Sequence, residues 1–453
     1  MASRDTMNRL SQYIVESSGR VLPEKVAEKA KHHILDTIAA MVSGARLKPG
    51  ELILKFIRTQ GGTPEARVIG ADFLTTAIHA AMANGFTAHA DETDDQHGIS
   101  FTHPGSAVVP AALAVGELEN VSGEAFLKSI VLGYDICCRI GRIMVSGGQR
   151  PVGHSSHAVG GLFGATAASA ALLCLNFQQV RHALAYAGQQ ASGVTSWTRD
   201  EEHVEKAFVF SGMPARNAVT AALFVHQGFT GEEDIFSGEG NFLEALCQER
   251  DALPGWIDNL GSHYEVMATN IKRFPVGFPL QAPADAMTWL IREHKLSADR
   301  VKELDVRLPP RAAKVVDNSP MPDVNCQYIM AAMLLDGKLS FEASHSYERM
   351  ADPKVREVQA RVKVIGDRRL AEQEEKPPGI LRAHLVEGRI LEKEVFTFKG
   401  SADNPLNREE LAAKALDLIR DILGKDRSAA LIQAIWNLDR MKSVRELRPL
   451  LKG

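Results

Sequence analysis

From Pro23 onward the apolar positions Val26, Ala30, Ile34, Ile38 and Met41 fall three or four residues apart, the spacing of one helical face. Pro23 suits a first helical turn and Gly44 a stop. The same reading holds for segments 74–89, 106–118, 124–145, 158–175, 178–192 and 212–228, all rich in Ala and separated by Gly or Pro. Small residues let helices approach closely, so these segments predict a compact bundle, and no fixed-period repeat points to a solenoid. Near residue 265 the pattern changes. Leu304, Val306 and Leu308 alternate with charged residues, a strand pattern ended by Pro309 and Pro310. Val362 and Val364 alternate again, and segments 380–387 and 390–398 flank Glu387-Gly388, which reads as a hairpin turn. One helical segment, 324–336, lies among these strands, and residues 407–424 return to a helical stripe of Leu411, Leu416, Ile419 and Leu423. The expected fold is mainly α. A large all-α domain spans 1–265 and is completed by C-terminal helices in 402–453, with a smaller, lid-like α+β domain inserted at 266–401.

Composition narrows the function classes. The chain has 453 residues, 45% hydrophobic and 24% charged, which is ordinary for a soluble globular protein. A net charge of −4 argues against a partner bound by bulk phosphate neutralisation, so no nucleic acid is expected. No run approaches about 18 uninterrupted apolar residues, so no membrane span is expected. The first residues, MASRDTMNRL, lack the basic flank and apolar core of a secretory signal. The five cysteines, Cys137, Cys138, Cys174, Cys247 and Cys326, are odd in number and contain no C-x-x-C pair. That disfavours a disulfide framework and a structural zinc site and leaves a cytoplasmic chain with reduced thiols as the expectation.

The densest polar segment is 89–104, HADETDDQHGISFTHP, set between two Ala-rich apolar helices. Ionisable residues in such a place are costly unless paired or functional. His89, His97 and His103 bring side chains whose ordinary pKa suits proton transfer near neutral pH. A metal site on Asp94, Asp95, His97 and His103 is the alternative reading. The segment has neither an H-E-x-x-H pair nor a calcium-loop pattern, so no metal is expected. A second cluster, GHSSHAVGGLFGA, holds His154 and His157, which at i and i+3 could share a helical face. Its glycines Gly160, Gly161 and Gly164 allow close approach of a ligand or a neighbouring helix. Two lysines stand apart: Lys206 in EEHVEKAFVFSG and Lys272 in NIKRFPVGFP at the domain boundary, a favoured place for ligands.

These stretches together resemble the MmgE/PrpD family, which includes 2-methylcitrate dehydratase, cis-aconitate decarboxylase and iminodisuccinate epimerase. The resemblance runs through LPEKVAEKAKHHILDTIAAMVSG (22–44), ANGFTAHADETDDQH (83–97), THPGSAVVPAALAVGE (102–117), GHSSHAVGGLFGATAA (153–168), EKAFVFSGMPARNA (205–218), IKRFPVGFP (271–279) and SADNPLNREELAAK (401–414). It implies that His103, in T-H-P-G, is an active-site histidine and that His154, six residues before Gly160, is the second. A one-residue shift in that Gly-rich turn would hand the role to His157, otherwise a substrate-binding residue. Lys206 and Lys272 resemble the two active-site lysines and Tyr328 the family tyrosine. Asp94 and Asp95 match the paired aspartates of D-x-D-D-T-H and His97 its histidine. Glu92 replaces the first acid of that motif, Gln96 its threonine, Gln281 a histidine nine residues after Lys272, and Gly277 a cysteine. These departures lie where a substrate would be read.

What the resemblance implies is a cofactor-independent lyase acting on a small hydroxy- or unsaturated polycarboxylate. Dehydration of a methylcitrate-like substrate leads. Epimerisation or decarboxylation on the same scaffold is the alternative, and a metal hydrolase or a silent polycarboxylate-binding protein stands further off. Lys206, Lys272 and Arg273 are the expected carboxylate ligands, His103 and His154 the acid and base, Tyr328 a proton donor, and Asp94 or Asp95 the group that orients a histidine. Family resemblance also implies a homodimer.

Overall fold

A computed structural model describes residues 2–145, 153–247, 255–373 and 375–453. Helix accounts for 61% of the chain and strand for 8%, which makes the fold mainly α with a smaller α+β part, as expected. Two compact units are present. The first comprises Met1–Ala90, Asp94–Thr269 and Leu418–Gly453, and the second Asp91–Thr93 and Asn270–Asp417.

In the first unit, helices Glu24–Gly44, Ala77–Ala88, Pro104–Glu119, Gly123–Met144, Ser156–Leu172, Phe177–Gln189 and Met213–His226 form the bundle. Several starts are fixed by side-chain caps. Thr76 accepts from His79 N–H, Ser122 from Ala125 N–H, and Asn176 forms a reciprocal box with Gln179. Helices Pro104–Glu119 and Ser156–Leu172 are buried on nearly every side, which explains why neither shows a polar stripe in the sequence. Glycines make this burial possible. A Cβ on Gly164 would lie 2.4 Å from the Gly133 carbonyl oxygen, and one on Gly160 would lie 2.7 Å from that of Cys137. The Gly-rich cluster of the sequence therefore serves helix-on-helix approach.

Among the described residues one helix, Val204–His226, is long and apolar enough to cross a membrane by length and composition. Its apolar window is 72% buried inside the protein, so it reads as a core helix. It is interrupted by a π turn at Phe208–Gly212. Such a turn widens the helix by one residue and commonly marks a functional site.

In the second unit a four-stranded sheet runs in the order Val362–Gly366, Val301–Leu308, Gly379–Leu385, Ile390–Val395. The first pairing is parallel and the other two are antiparallel. The parallel pairing needs a crossover, which the helices between Pro310 and Gln359 provide. Val301, Leu304, Val306 and Leu308 share one core with Met287 and Leu290 of helix Gln281–His294 and with Ile329 and Met330 of helix Cys326–Asp336. Gly388 closes the hairpin at φ +87°, a conformation that favours glycine.

Candidate active site

In the first unit, His89 caps the C-terminus of helix Ala77–Ala88 and His103 the N-terminus of helix Pro104–Glu119. The intervening loop turns back on itself through backbone bonds between His97 and Thr102. Asp95 ties the loop to the bundle. Its Oδ1 accepts the Gly105 N–H at 3.0 Å, while Oδ2 meets His33 Nδ1 at 2.7 Å and accepts the Tyr134 hydroxyl at 2.5 Å. By holding the first turn of the helix, Asp95 sets where His103 stands.

Asp94 then joins two imidazoles. Both of its oxygens lie 3.0 Å from His89 Nδ1, and Oδ2 lies 3.0 Å from His103 Nδ1. An ionised carboxylate only accepts, so each Nδ1 carries a proton and each Nε2 is left as the reactive nitrogen. Burial pulls His89 down to about 3, against the opposing pull of Asp94, so its ring is neutral at neutral pH. Its Nε2 is buried with no hydrogen-bond partner among the described residues. The rings of His89 and His103 meet edge-on at 4.8 Å.

Phe210, on the π turn, organises the rest. It stacks on His89 at 4.6 Å and 13°, and on His157 at 3.9 Å and 14°. His157 in turn lies 5.3 Å from His103 and His203 lies 5.0 Å from His89, centre to centre. Trp197 meets Phe210 edge-on at 4.6 Å. The Lys206 ammonium sits 5.2 Å from the Phe210 ring centre and 5.6 Å from that of Trp197, where the aromatic faces hold a cation.

The structure thus gathers Asp94, His103, His157 and Lys206, and adds His89, His203, Phe210 and Trp197. Of the two histidines left open by the sequence, the ring that meets His103 and Phe210 is His157. His154 precedes the helix and is bridged to Val194. The helix begins at Ser156, so His157 lies in its first turn and His154 before it. Gln96 is buried in the same loop. His97 belongs to a different network: its Nδ1 lies 2.7 Å from Ser100 Oγ and its Nε2 3.4 Å from Glu265. Burial opposes ionisation of Glu265, yet His97, Arg139 and Arg142 hold it down to about 2.

The second unit holds the remaining residues. Lys272 is fully buried, with Nζ 3.0 Å from Glu92 Oε2. Arg273 pairs with Asp285 at 2.6 Å, with its guanidinium over Phe274. The Gln281 amide is spent on backbone, accepting from Phe274 N–H and donating to the carbonyls of Phe274 and Val276. The Tyr328 hydroxyl donates to the Ala343 carbonyl, and burial pushes it up to about 12. The hydrogen bonds of the Gln281 amide and the Tyr328 hydroxyl all run to backbone of their own unit.

By distance alone His89, Asp94 and His103 could hold a divalent cation, since their nearest ligand atoms lie within 4.8 Å of one another. Nδ1 of each histidine is already hydrogen-bonded to Asp94, so an ion bound through those nitrogens would have to replace the His–Asp contacts. Of the residues the sequence left unassigned, His89 opens the polar segment and His203 lies in EEHVEKAF, so both were in view. Phe210 gave no signal, because its place depends on the π turn.

Family models describe both halves of the chain: the MmgE/PrpD N-terminal domain matches residues 8–253 and the MmgE/PrpD C-terminal domain residues 274–440. A cis-aconitate decarboxylase-like protein of Aspergillus oryzae is 24% identical over 479 residues, covering 98% of this chain and 96% of its own. A cis-aconitate decarboxylase of Aspergillus terreus is 23% identical over 456 residues, covering 95% and 92%. With both domain matches in order and spanning most of its length, the chain belongs to the MmgE/PrpD family.

Proposed function

We propose that this protein is a lyase that moves a proton at a carbon beside a carboxylate of a small polycarboxylate. The observation that supports this most is the single carboxylate of Asp94 holding Nδ1 of both His89 and His103. Two imidazoles fixed in one tautomer present unprotonated Nε2 atoms, and one of them can take a proton from substrate and, once charged, return it as the acid. His103 is 7% exposed and His89 fully buried, so His103 is the one assigned to meet substrate. Removal of an α-proton places negative charge on the adjacent carboxylate, and a fixed cation stabilises that charge. Lys206 is assigned that task, and Lys272, buried in the second unit, is carried forward as a further carboxylate ligand on the family resemblance.

In the leading form the reaction is dehydration of a methylcitrate-like hydroxy acid. A base takes the α-proton, the carbon–carbon double bond forms, and the hydroxyl leaves as water after protonation by the acid. Decarboxylation is the second reading, supported by the names of the two fungal relatives. There the bond to a carboxyl group breaks, carbon dioxide leaves, and the acid returns a proton to carbon. A homodimer in the cytoplasm remains part of the proposal.

A proton NMR time course in heavy water, on chelator-treated protein, tests the reading. The panel is 2-methylcitrate, citrate, cis-aconitate and iminodisuccinate. Water loss with a new carbon–carbon double bond, seen for 2-methylcitrate as the methyl doublet becoming an allylic singlet, supports dehydration, and loss of carbon dioxide supports the second reading. Hydrogen exchange alone, or dependence on added metal, contradicts a cofactor-independent lyase.

A further inference from the structure

In the second unit three cationic side chains converge on the short segment Asp91–Thr93. His345 Nε2 lies 2.8 Å from Asp91 Oδ2, Lys272 Nζ lies 3.0 Å from Glu92 Oε2, and Lys414 Nζ donates to the Thr93 carbonyl at 3.0 Å. Asp91 also accepts the Thr93 N–H at 3.0 Å and the Thr93 hydroxyl at 2.5 Å, an Asx-type turn with Glu92 at its apex. The segment is buried throughout, at 2%, 6% and 0% exposure.

The bonding fixes the state of His345. Its Nδ1 lies 2.9 Å from the Phe341 carbonyl oxygen, which can only accept. Ser344 Oγ is also 2.9 Å from Nδ1, but its proton goes to the same carbonyl. Nδ1 therefore carries a proton, and Nε2 faces a carboxylate that also accepts. Nε2 lies 2.8 Å from that carboxylate as an ion pair, outside hydrogen-bond alignment, and so close a negative charge favours the charged ring. Among the described residues, the other charged group facing it is Asp323, 3.9 Å from Nε2. Burial opposes the charge, yet Asp91 and Asp323 hold His345 up to about 9.

We propose that His345 is a positioning residue: through Asp91 it fixes the Asp91–Thr93 turn and so presents Glu92 to Lys272. Its catalytic consequence rests on the proposed role of Lys272 as a carboxylate ligand, whereas the positioning does not.

Trace acylation with acetic anhydride, followed by peptide mapping, separates the two. In His345→Ala and in Asp91→Asn, Lys272 is expected to label at least tenfold faster than in the wild type. Lys31, buried and paired with Asp439 in the first unit, reports an intact fold by staying within twofold. His345→Gln, which keeps bulk and a donor, serves where truncation unfolds the unit. In turnover, KM is expected to rise at least tenfold with kcat within threefold, and added imidazole is expected to restore part of the loss in His345→Ala. Faster labelling with an unchanged KM supports the positioning and removes Lys272 from substrate binding. Lys272 labelling within twofold of the wild type in both variants overturns the proposal.

Discussion

At the scale of single residues, two histidines, one buried and one half-buried, take different charge states for opposite reasons. His89 is stripped of water with only part of a carboxylate to compensate, and it stays neutral. His345 donates its Nδ1–H to a carbonyl, lies in an ion pair with Asp91, and stays charged. The signs of their pH effects follow. With a folded value near 3 against an ordinary value near 6.5, His89 binds its proton less readily in the folded state. Its contribution to stability is therefore kept above about pH 6.5 and is lost as the pH falls toward 3. His89→Asn is expected to flatten the acid limb of stability against pH, measured by urea unfolding between pH 7.5 and 4.5; an unchanged limb contradicts the assignment. For His345, with a folded value near 9, the contribution is kept below about pH 6.5 and lost as the pH rises through 9. Asp91→Asn is expected to remove that alkaline loss. A third comparison separates the neighbours in the Gly-rich turn. His157→Asn should lower kcat/KM at least tenfold more than His154→Asn, because the His157 ring contacts both His103 and Phe210. Equal losses would return the choice to His154. His103 and Asp94 were legible in the sequence from residue type and motif. That the His157 ring lies beside His103 was not, since it turns on a helix start one residue before His157.

The elements show the same division. Period and capping residues were enough to find the bundle helices, with ends that moved by a few residues once caps such as Thr76 and Asn176 took hold. The strand segments at 301–308, 362–366 and 379–395 were also readable, because alternation is a local pattern. The parallel sense of the first pairing was not, since it depends on how the crossover helices pack. The π turn at Phe208–Gly212 escaped for a similar reason: one extra residue in a turn leaves no break in the apolar run of a mostly buried helix. Its consequence is large, because it aims Phe210 between His89 and His157. The Gly133–Gly164 contact makes a plainer prediction. Gly164→Ala would drive a methyl group to 2.4 Å from a carbonyl oxygen, so helices Gly123–Met144 and Ser156–Leu172 must part. Overpacking of this kind typically costs ~1–3 kcal/mol. Thermal unfolding of this variant should show a lowered Tm; an unchanged Tm would mean that the two helices do not pack as described.

For the whole molecule, fold class followed from the sum of local patterns, and the MmgE/PrpD family from the order of motifs along nearly the full chain. The membership of Asp91–Thr93 in the second unit did not follow, because its flanking residues belong to the first. That small departure separates the polar segment into two systems. Asp94 and His103 serve the histidine cluster of the first unit, and Asp91 and Glu92 answer to His345 and Lys272 in the second. The central claim is that Asp94 holds two imidazoles for proton transfer, and Asp94→Asn tests it most directly. The measurement is the NMR time course in heavy water on the best substrate of the panel, with wild type and variant side by side and binding checked by calorimetry. The account predicts that turnover and hydrogen exchange both fall by roughly 10²–10⁴-fold, the worth of positioned acid–base catalysis, while affinity changes less than about threefold. Turnover within threefold of the wild type, in a folded variant, would contradict it.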